Sequence, residues 1–293
     1  MEYNLIQKFK WEFLTISSLA LWWLSPIITK YTYGYINFRL SLAFSSFFDF
    51  LYFLVLFIKN KEYIYFKQRE WWKDSLIALT LNGIVFYYIL FYWLQFTSST
   101  NASIFWLMEI FFSFLLFGVL LWKWRIKKYE TLWAILMGLW ALIVLFPWTL
   151  KFNYWDIFII IACFFAPIGN FYAKKAIIHF PSRFLMLVRS LAASIFLFLY
   201  VYLIGQFNLV YSDFIHVLPY LILSGVVLFW FSKILWIDAY KYIWVPRASI
   251  FLTLYPIFTI LYNIIFFFRF PTFFQVFWLL PLIIGIYFIF LKE

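Results

Sequence analysis

The sequence predicts an all-α integral membrane fold, in which ten transmembrane helices form two inverted five-helix repeats around a central cavity. Three observations predict it. Of the 293 residues, 67% are apolar and only 12% charged, whereas soluble domains run nearer about 45–50% and about 25%. A soluble fold of this size lacks the polar surface to cover so much apolar area, so its solvent must be mostly lipid. Ten apolar stretches are also long enough to cross a hydrocarbon core of ~30 Å, which takes about 20 helical residues. Finally, the chain resembles itself at an offset near 146 residues.

The spans fall at 11–29, 35–58, 75–96, 100–122, 130–149, 155–173, 184–204, 214–237, 246–268 and 272–291. The first is too long for a signal-peptide core. Trp22, Trp23 and Pro26 stand where a small-residue cleavage site would lie, so the span is expected to be retained. The second carries Arg39 near its start and Asp49 midway. The third and fourth are separated only by the polar patch Thr97-Ser98-Ser99-Thr100. Without a break there, residues 75–122 would make one apolar helix of about 72 Å, too long for one crossing. Hydroxyl side chains in the patch supply N-cap groups for a new start. Lys and Arg gather in short runs between spans, as in Lys123-Trp124-Arg125-Ile126-Lys127-Lys128.

Those loops set the orientation, because Lys and Arg accumulate on the cytoplasmic side. Seventeen of the 23 lie on the side that carries the N-terminus; opposite are only Lys30, Lys151 and Arg269, and Arg39, Arg189 and Lys233 lie within spans. Both termini are therefore expected in the cytoplasm, with the chain multi-pass in the cell (inner or plasma) membrane. The formal charge of +11 sits in these short loops rather than on a folded polar face, which excludes a nucleic-acid partner. Residues 62–74, with Trp71 and Trp72 among charges, read as a segment lying on the inner leaflet. A lone cysteine, Cys163, rules out a disulfide framework and a thiolate metal site.

The self-similarity divides the chain into units 1–150 and 151–293. Asn101-Ala-Ser-Ile-Phe105 matches Arg247-Ala-Ser-Ile-Phe251, each opening the fourth span of its half. Eight residues after Asn101 and Arg247 come Glu109-Ile110 and Tyr255-Pro256. Arg39 precedes Ser41 and Ser45 in the second span, as Arg189 precedes Ser190 and Ser194 in the seventh; small residues at such spacing let helices approach closely in lipid. Gly138 and Gly285 sit in the fifth and tenth spans. Because five crossings is an odd number, the two copies are oppositely oriented, a plan that suits alternating access about a midplane site.

The Ala-Ser-x-x-x-x-x-x-(Glu/Tyr)-Pro pattern, the paired arginines and the paired glycines resemble the EamA-like branch of the drug/metabolite transporter superfamily. The resemblance covers essentially the whole chain. It implies ten helices with cytoplasmic termini, a cavity lined mainly by helices 1–4 and 6–9, and peripheral fifth and tenth helices. Ile110 replaces the expected proline in the first half, and Trp23 stands where a glycine is usual.

A charged side chain in the bilayer costs about 2.5–3.5 kcal/mol on insertion scales, so each asks for a reason. Glu109 lies about 13 Å into its span, near the midplane. It suits a ligand for a cationic group, a proton-coupling carboxylate, or one half of a structural ion pair. Arg39, about 6 Å deep from the same face, has the reach to be its partner. Tyr255 offers a hydroxyl at the equivalent depth of the second half. Trp22, Trp23 and Trp106 are the candidates for an aromatic cation cage, and Asn82 and Asn170 complete the substrate-binding set. Arg189, Lys233, Asp238 and Asp49 are grouped as gating or structural ion-pair residues, with Arg189 shallow enough to snorkel to the interface. Lys233 is expected to serve gating or anchoring, with Asp238 an imperfect partner at i, i+5. Asp49 has no assigned partner and is expected to be protonated. His179 and His216 are far apart, so no metal site and no cofactor are expected.

The leading functional reading is secondary transport, by alternating access and in the export direction, of a small polar or amphipathic, amino-acid-like metabolite. The alternatives are a membrane-embedded transferase using Glu109 or Asp49 as base, an importer of a cationic or quaternary amine, and a scaffold or channel. The partners would be the small-molecule substrate, the lipid bilayer and a coupling proton, with the chain a monomer or homodimer.

Overall fold

A computed structural model describes residues 2–68, 72–96, 106–120, 136, 156–268 and 270. Helix α1 runs Glu2–Thr32 and α2 runs Phe38–Asn60. The turn between them is closed by Asn37, whose side chain accepts from the Arg39 backbone N–H at 2.9 Å and so serves as an N-cap of α2. At the far end of α2, Lys61 takes the left-handed conformation (φ 54°), and its N–H returns to the carbonyls of Phe57 and Ile58. A short 3₁₀ helix, Glu62–Lys67, follows.

Helix α3 (Trp72–Trp93) is interrupted by a π-helical stretch, Leu79–Val85. Helix α4 begins at Met108–Phe114 and continues π-helical through Leu115–Leu120. Helix α5 (Asp156–Ala176) contains Pro167, and α6 (Ser182–Leu203) starts directly after Pro181. Helix α7 (Tyr211–Ala239) contains Pro219 and then a π-helical stretch, Leu223–Phe231. Helix α8 (Val245–Ile250) passes through a 3₁₀ turn, Phe251–Leu254, into α9 (Tyr255–Phe267). No strand occurs among the described residues.

Six of these helices are long and apolar enough to cross a membrane: Phe13–Thr32, Phe38–Asn60, Trp72–Trp93, Ile157–Ala176, Ser182–Leu203 and Tyr211–Ala239. They fall on the first, second, third, sixth, seventh and eighth predicted spans. Shorter helical stretches occupy the fourth and ninth. The fifth span apart from Leu136, the tenth span, Gly138 and Gly285, and the Thr97–Thr100 break lie outside the described residues.

Helix α2 packs most extensively against α6 and also against the π-helical part of α7. The second contact is very close: a Cβ added at Gly225 would run into the Ser45 carbonyl, so glycine lets the two backbones meet. Outward faces carry exposed Val55, Ile58, Ile195 and Leu203, as lipid contact requires.

Polar contacts gather at the two ends of the bundle. At one end, Glu62 pairs with Arg183, Asp238 accepts from Ser182 and pairs with Lys241, and the Lys174 ammonium donates to the carbonyls of Tyr240 and Ile243, both at 2.6 Å. At the other, Arg39 and Asn37 both donate to Gln206 Oε1, and Tyr31 Oη meets His216 Nε2 at 3.0 Å. In the segment read as lying on the inner leaflet, Glu62 is buried while Tyr63, Ile64 and Phe66 are exposed, and Trp72 packs beside Phe180 and Phe184. Trp71 lies outside the described residues.

Candidate functional site

Glu109 is buried, 4% exposed, in the first turn of α4. Both of its oxygens are held: Oε2 accepts from Trp106 Nε1 and Oε1 from Asn170 Nδ2, each at 3.0 Å. Asn170 Oδ1 in turn accepts from Asn82 Nδ2 at 2.7 Å. The chain of bonds therefore ties α3, α5 and α4 together around one carboxylate. The sequence makes room for it at Gly169, because a side chain there would collide with the Asn82 amide. Asn82 itself lies in the π-helical stretch of α3, the kind of irregularity that recurs at functional sites.

Glu109 opens onto a small cavity lined by Ser18, Leu19 and Trp22 of α1, Trp106, Lys233 and Trp236 of α7, Leu252 and Tyr255. Lys233 stands over the Trp22 ring, with Nζ 4.8 Å from its centroid, and shares the cavity with Glu109 without closing a direct ion pair. The walls are aromatic. Trp22 meets Trp106 edge-on at 5.3 Å, Trp106 meets Tyr255 at 5.7 Å, and Trp23 tilts against Tyr255 at 5.1 Å. Trp22 Nε1 is buried without a hydrogen-bond partner. The cavity measures about 10 Å³, roughly the space of a single water. This conformation is thus closed around the charges.

Of the residues singled out in the sequence, Glu109, Asn170, Asn82, Trp106, Trp22 and Tyr255 come together here, and Trp23 supports Tyr255 from behind. Four expectations need correction. Arg39 does not reach Glu109: its guanidinium donates to Gln206 at 2.7 Å and lies 4.4 Å over the Phe38 ring at the bundle end. Lys233 is not an interface anchor, because α7 directs it into the cavity. Asp238 does not pair with Lys233; the turn that follows α7 brings it to Lys241 at 2.6 Å instead.

The fourth correction concerns Asp49 and Arg189. Asp49 has a partner, and Arg189 does not snorkel: Arg189 Nη2 lies 3.9 Å from Asp49 Oδ2, with the two residues 7% and 3% exposed. Arg189 is seated against Gly83, where an added Cβ would come within 2.6 Å of its Cγ, and over the Tyr87 ring at 5.4 Å. Pairing in the interior removes the need to reach water. Around this pair lies a second cavity of about 20 Å³, lined also by Leu42, Ser46, Ser190, Ala193 and Phe229.

Sequence reasoning missed Ser18 and Trp236 as lining residues and Tyr87 as the ring beside Arg189. Ser18 carried no distinguishing signal among apolar neighbours. Trp236 stands three residues after Lys233, a spacing that puts both on one helix face, and that signal was legible.

No curated protein sequence matches the chain. A solved crystal structure of a protein, 13% identical, superposes over 96% of each chain with a TM-score of 0.74, a likeness that extends to the fold. The family model of the EamA-like transporters, of the drug/metabolite transporter superfamily, matches residues 153–291, the second half of the chain.

Proposed function

We propose that this transporter moves a small zwitterionic, amino-acid-like metabolite by alternating access, through ten helices built as two inverted repeats, units 1–150 and 151–293. One observation carries the reading: Glu109 and Lys233 line a single aromatic-walled cavity without a direct ion pair. A zwitterion inserted there presents its ammonium to Glu109 and its carboxylate to Lys233 and the unpartnered Trp22 N–H. Each charge then keeps a counter-charge, which a low-dielectric interior demands.

A quaternary amine is a poorer fit. Lys233 already occupies the face of Trp22, so such a ligand would place a second cation beside the first. Proton coupling through Glu109 is compatible with the same geometry.

Opening a cavity of about 10 Å³ to admit an amino acid requires α1 and α7 to part from α4. The polar contacts at the two bundle ends supply the alternatives: release of the Glu62–Arg183 and Lys174 contacts opens the end expected to be cytoplasmic, and release of the Arg39–Gln206 contact opens the other. The basic-loop bias supports that orientation, and export is the direction we infer.

The test is a thermal-shift screen of purified protein against L-amino acids and amines, followed by uptake into proteoliposomes. Glu109→Gln and Lys233→Met should each abolish the shift and the uptake while the proteins remain folded. Undiminished transport by Glu109→Gln would reject the role of the carboxylate.

A further inference from the structure

We propose that the Asp49–Arg189 cavity is a second subsite on the same path, one that takes an uncharged donor–acceptor group of the substrate, a hydroxyl or a carboxamide. This rests on the zwitterion reading and assigns what the substrate's side chain carries.

The geometry selects that chemistry in three steps. Asp49 is 97% buried, and its Oδ1 has no hydrogen-bond partner although it belongs to the cavity lining. A buried carboxylate oxygen left open is costly, so the pocket is built to have it filled. Arg189 Nη2 stands 3.9 Å from the other oxygen, beyond direct hydrogen-bond range. The pair therefore presents one open acceptor and guanidinium donors to the same gap. Its charges already cancel. A cation or anion entering would leave an excess charge in a low-dielectric site, whereas a neutral group that donates to Asp49 and accepts from Arg189 satisfies both. The volume, about 20 Å³, is roughly that of one or two waters; a hydroxyl fits it directly, a carboxamide enters as a lining ring shifts, and water takes the place when no side chain reaches in.

The two cavities share a wall. Tyr87 lines the second cavity, lies over Arg189, and meets Trp22 of the first at 5.5 Å; Phe229, also lining the second, meets Trp22 at 5.6 Å and Tyr87 at 5.5 Å. These rings are held by contacts rather than hydrogen bonds between them, so a substrate anchored at Glu109 and Lys233 reaches Asp49 by displacing one ring.

The test compares L-glutamine with L-norleucine, which matches its chain length and lacks the amide, as ligands in thermal-shift titrations and as competitors of uptake. Wild type should prefer glutamine by about tenfold or more, since a site built to bond a polar group discriminates against analogues lacking it. The charge-neutral double variant Asp49→Leu/Arg189→Met should lose the preference, with glutamine binding no more tightly than norleucine. Replacing a buried ion pair with apolar side chains of similar volume is generally tolerated. Ser46→Val, which leaves the pair intact and fills the cavity, should lose the preference in the same way. A wild type without preference, or a preference that survives in these variants, overturns the subsite and leaves the Glu109–Lys233 reading standing. Failure of both amino acids to bind the wild type overturns the zwitterion reading and the subsite with it.

Discussion

Replacing Asn170 with leucine separates the site's contribution to stability from its contribution to function. Asn170 is 4% exposed and makes two bonds, donating to Glu109 Oε1 at 3.0 Å and accepting from Asn82 Nδ2 at 2.7 Å. In a soluble core, the lost bond to a charged acceptor is worth about 1.5–3 kcal/mol and the orphaned Asn82 N–H about 1–3 kcal/mol. Between membrane helices, measured side-chain bonds average only about 0.6 kcal/mol with a maximum of about 1.7 kcal/mol, because the lipid-embedded reference state also finds partners. The second scale applies to helices α3, α4 and α5, so the loss of stability should be roughly 1–3 kcal/mol. Function should suffer more. With only Trp106 left to hold it, the Glu109 carboxylate swings from its position opposite Lys233, and uptake should fall at least tenfold. The assay pairs thermal unfolding in detergent with initial uptake rates in proteoliposomes. Asn170→Leu protein that unfolds at a wild-type temperature and transports at a wild-type rate would refute the claim that this amide aims the carboxylate.

Three further outcomes follow from packing and from the end contacts. Gly225→Val should destabilise by about 1–3 kcal/mol, because the Ser45 carbonyl is backbone and cannot move aside; thermal unfolding reads it. Lys174→Met removes two ammonium bonds to the carbonyls of Tyr240 and Ile243 and a contact 4.1 Å over the Trp244 ring, and should cost about 1–2 kcal/mol in the same assay. Arg183→Ala strands the buried Glu62 carboxylate, and should raise cysteine labelling at positions near Asp238 and Ser182, whereas Arg39→Ala should raise it near Gln206 instead.

How much of this was legible in the sequence depended on whether depth or rotation was asked for. Depth along a helix follows from counting residues, which put Glu109 and Tyr255 at one level, and the two line one cavity; the six long apolar helices fall on spans that hydropathy marked. Rotation about the helix axis was another matter. Spans that are apolar almost all round carry no amphipathic stripe to say which face is inward. Asp49 and Arg189 are separated by 140 residues, and only the packing of α2 on α6 makes them partners. Arg39 was assigned to Glu109 by depth alone; Gln206, in the loop after α6, claims it. Asn82 and Asn170 were recognisable as polar groups within spans, but their bond to each other depends on the space left by Gly169.

Lys233 was misplaced for a related reason, and that reason yields a test. It follows by two residues a π-helical stretch, Leu223–Phe231, which holds an extra residue relative to an α-helix and so turns everything beyond it by about 100°. In α7 as folded, Gly225 within the π stretch meets the Ser45 backbone, and Lys233 just beyond it stands over Trp22. Deleting Val226, which lies within the stretch, should restore regular α geometry and force a choice: either Gly225 leaves α2 or Lys233 leaves the cavity. The Gly225 contact involves backbone on both sides, whereas the lysine is one side chain, so the helix should keep the former and rotate the latter away. Deletion of Val226 should therefore give inserted, folded protein that no longer binds or transports, while Val226→Ala, which keeps the residue count, behaves as wild type. Transport by the deletion variant at the wild-type rate would mean that Lys233 does not need its position over Trp22, and the pairing of Lys233 with Glu109 would lose its role in binding.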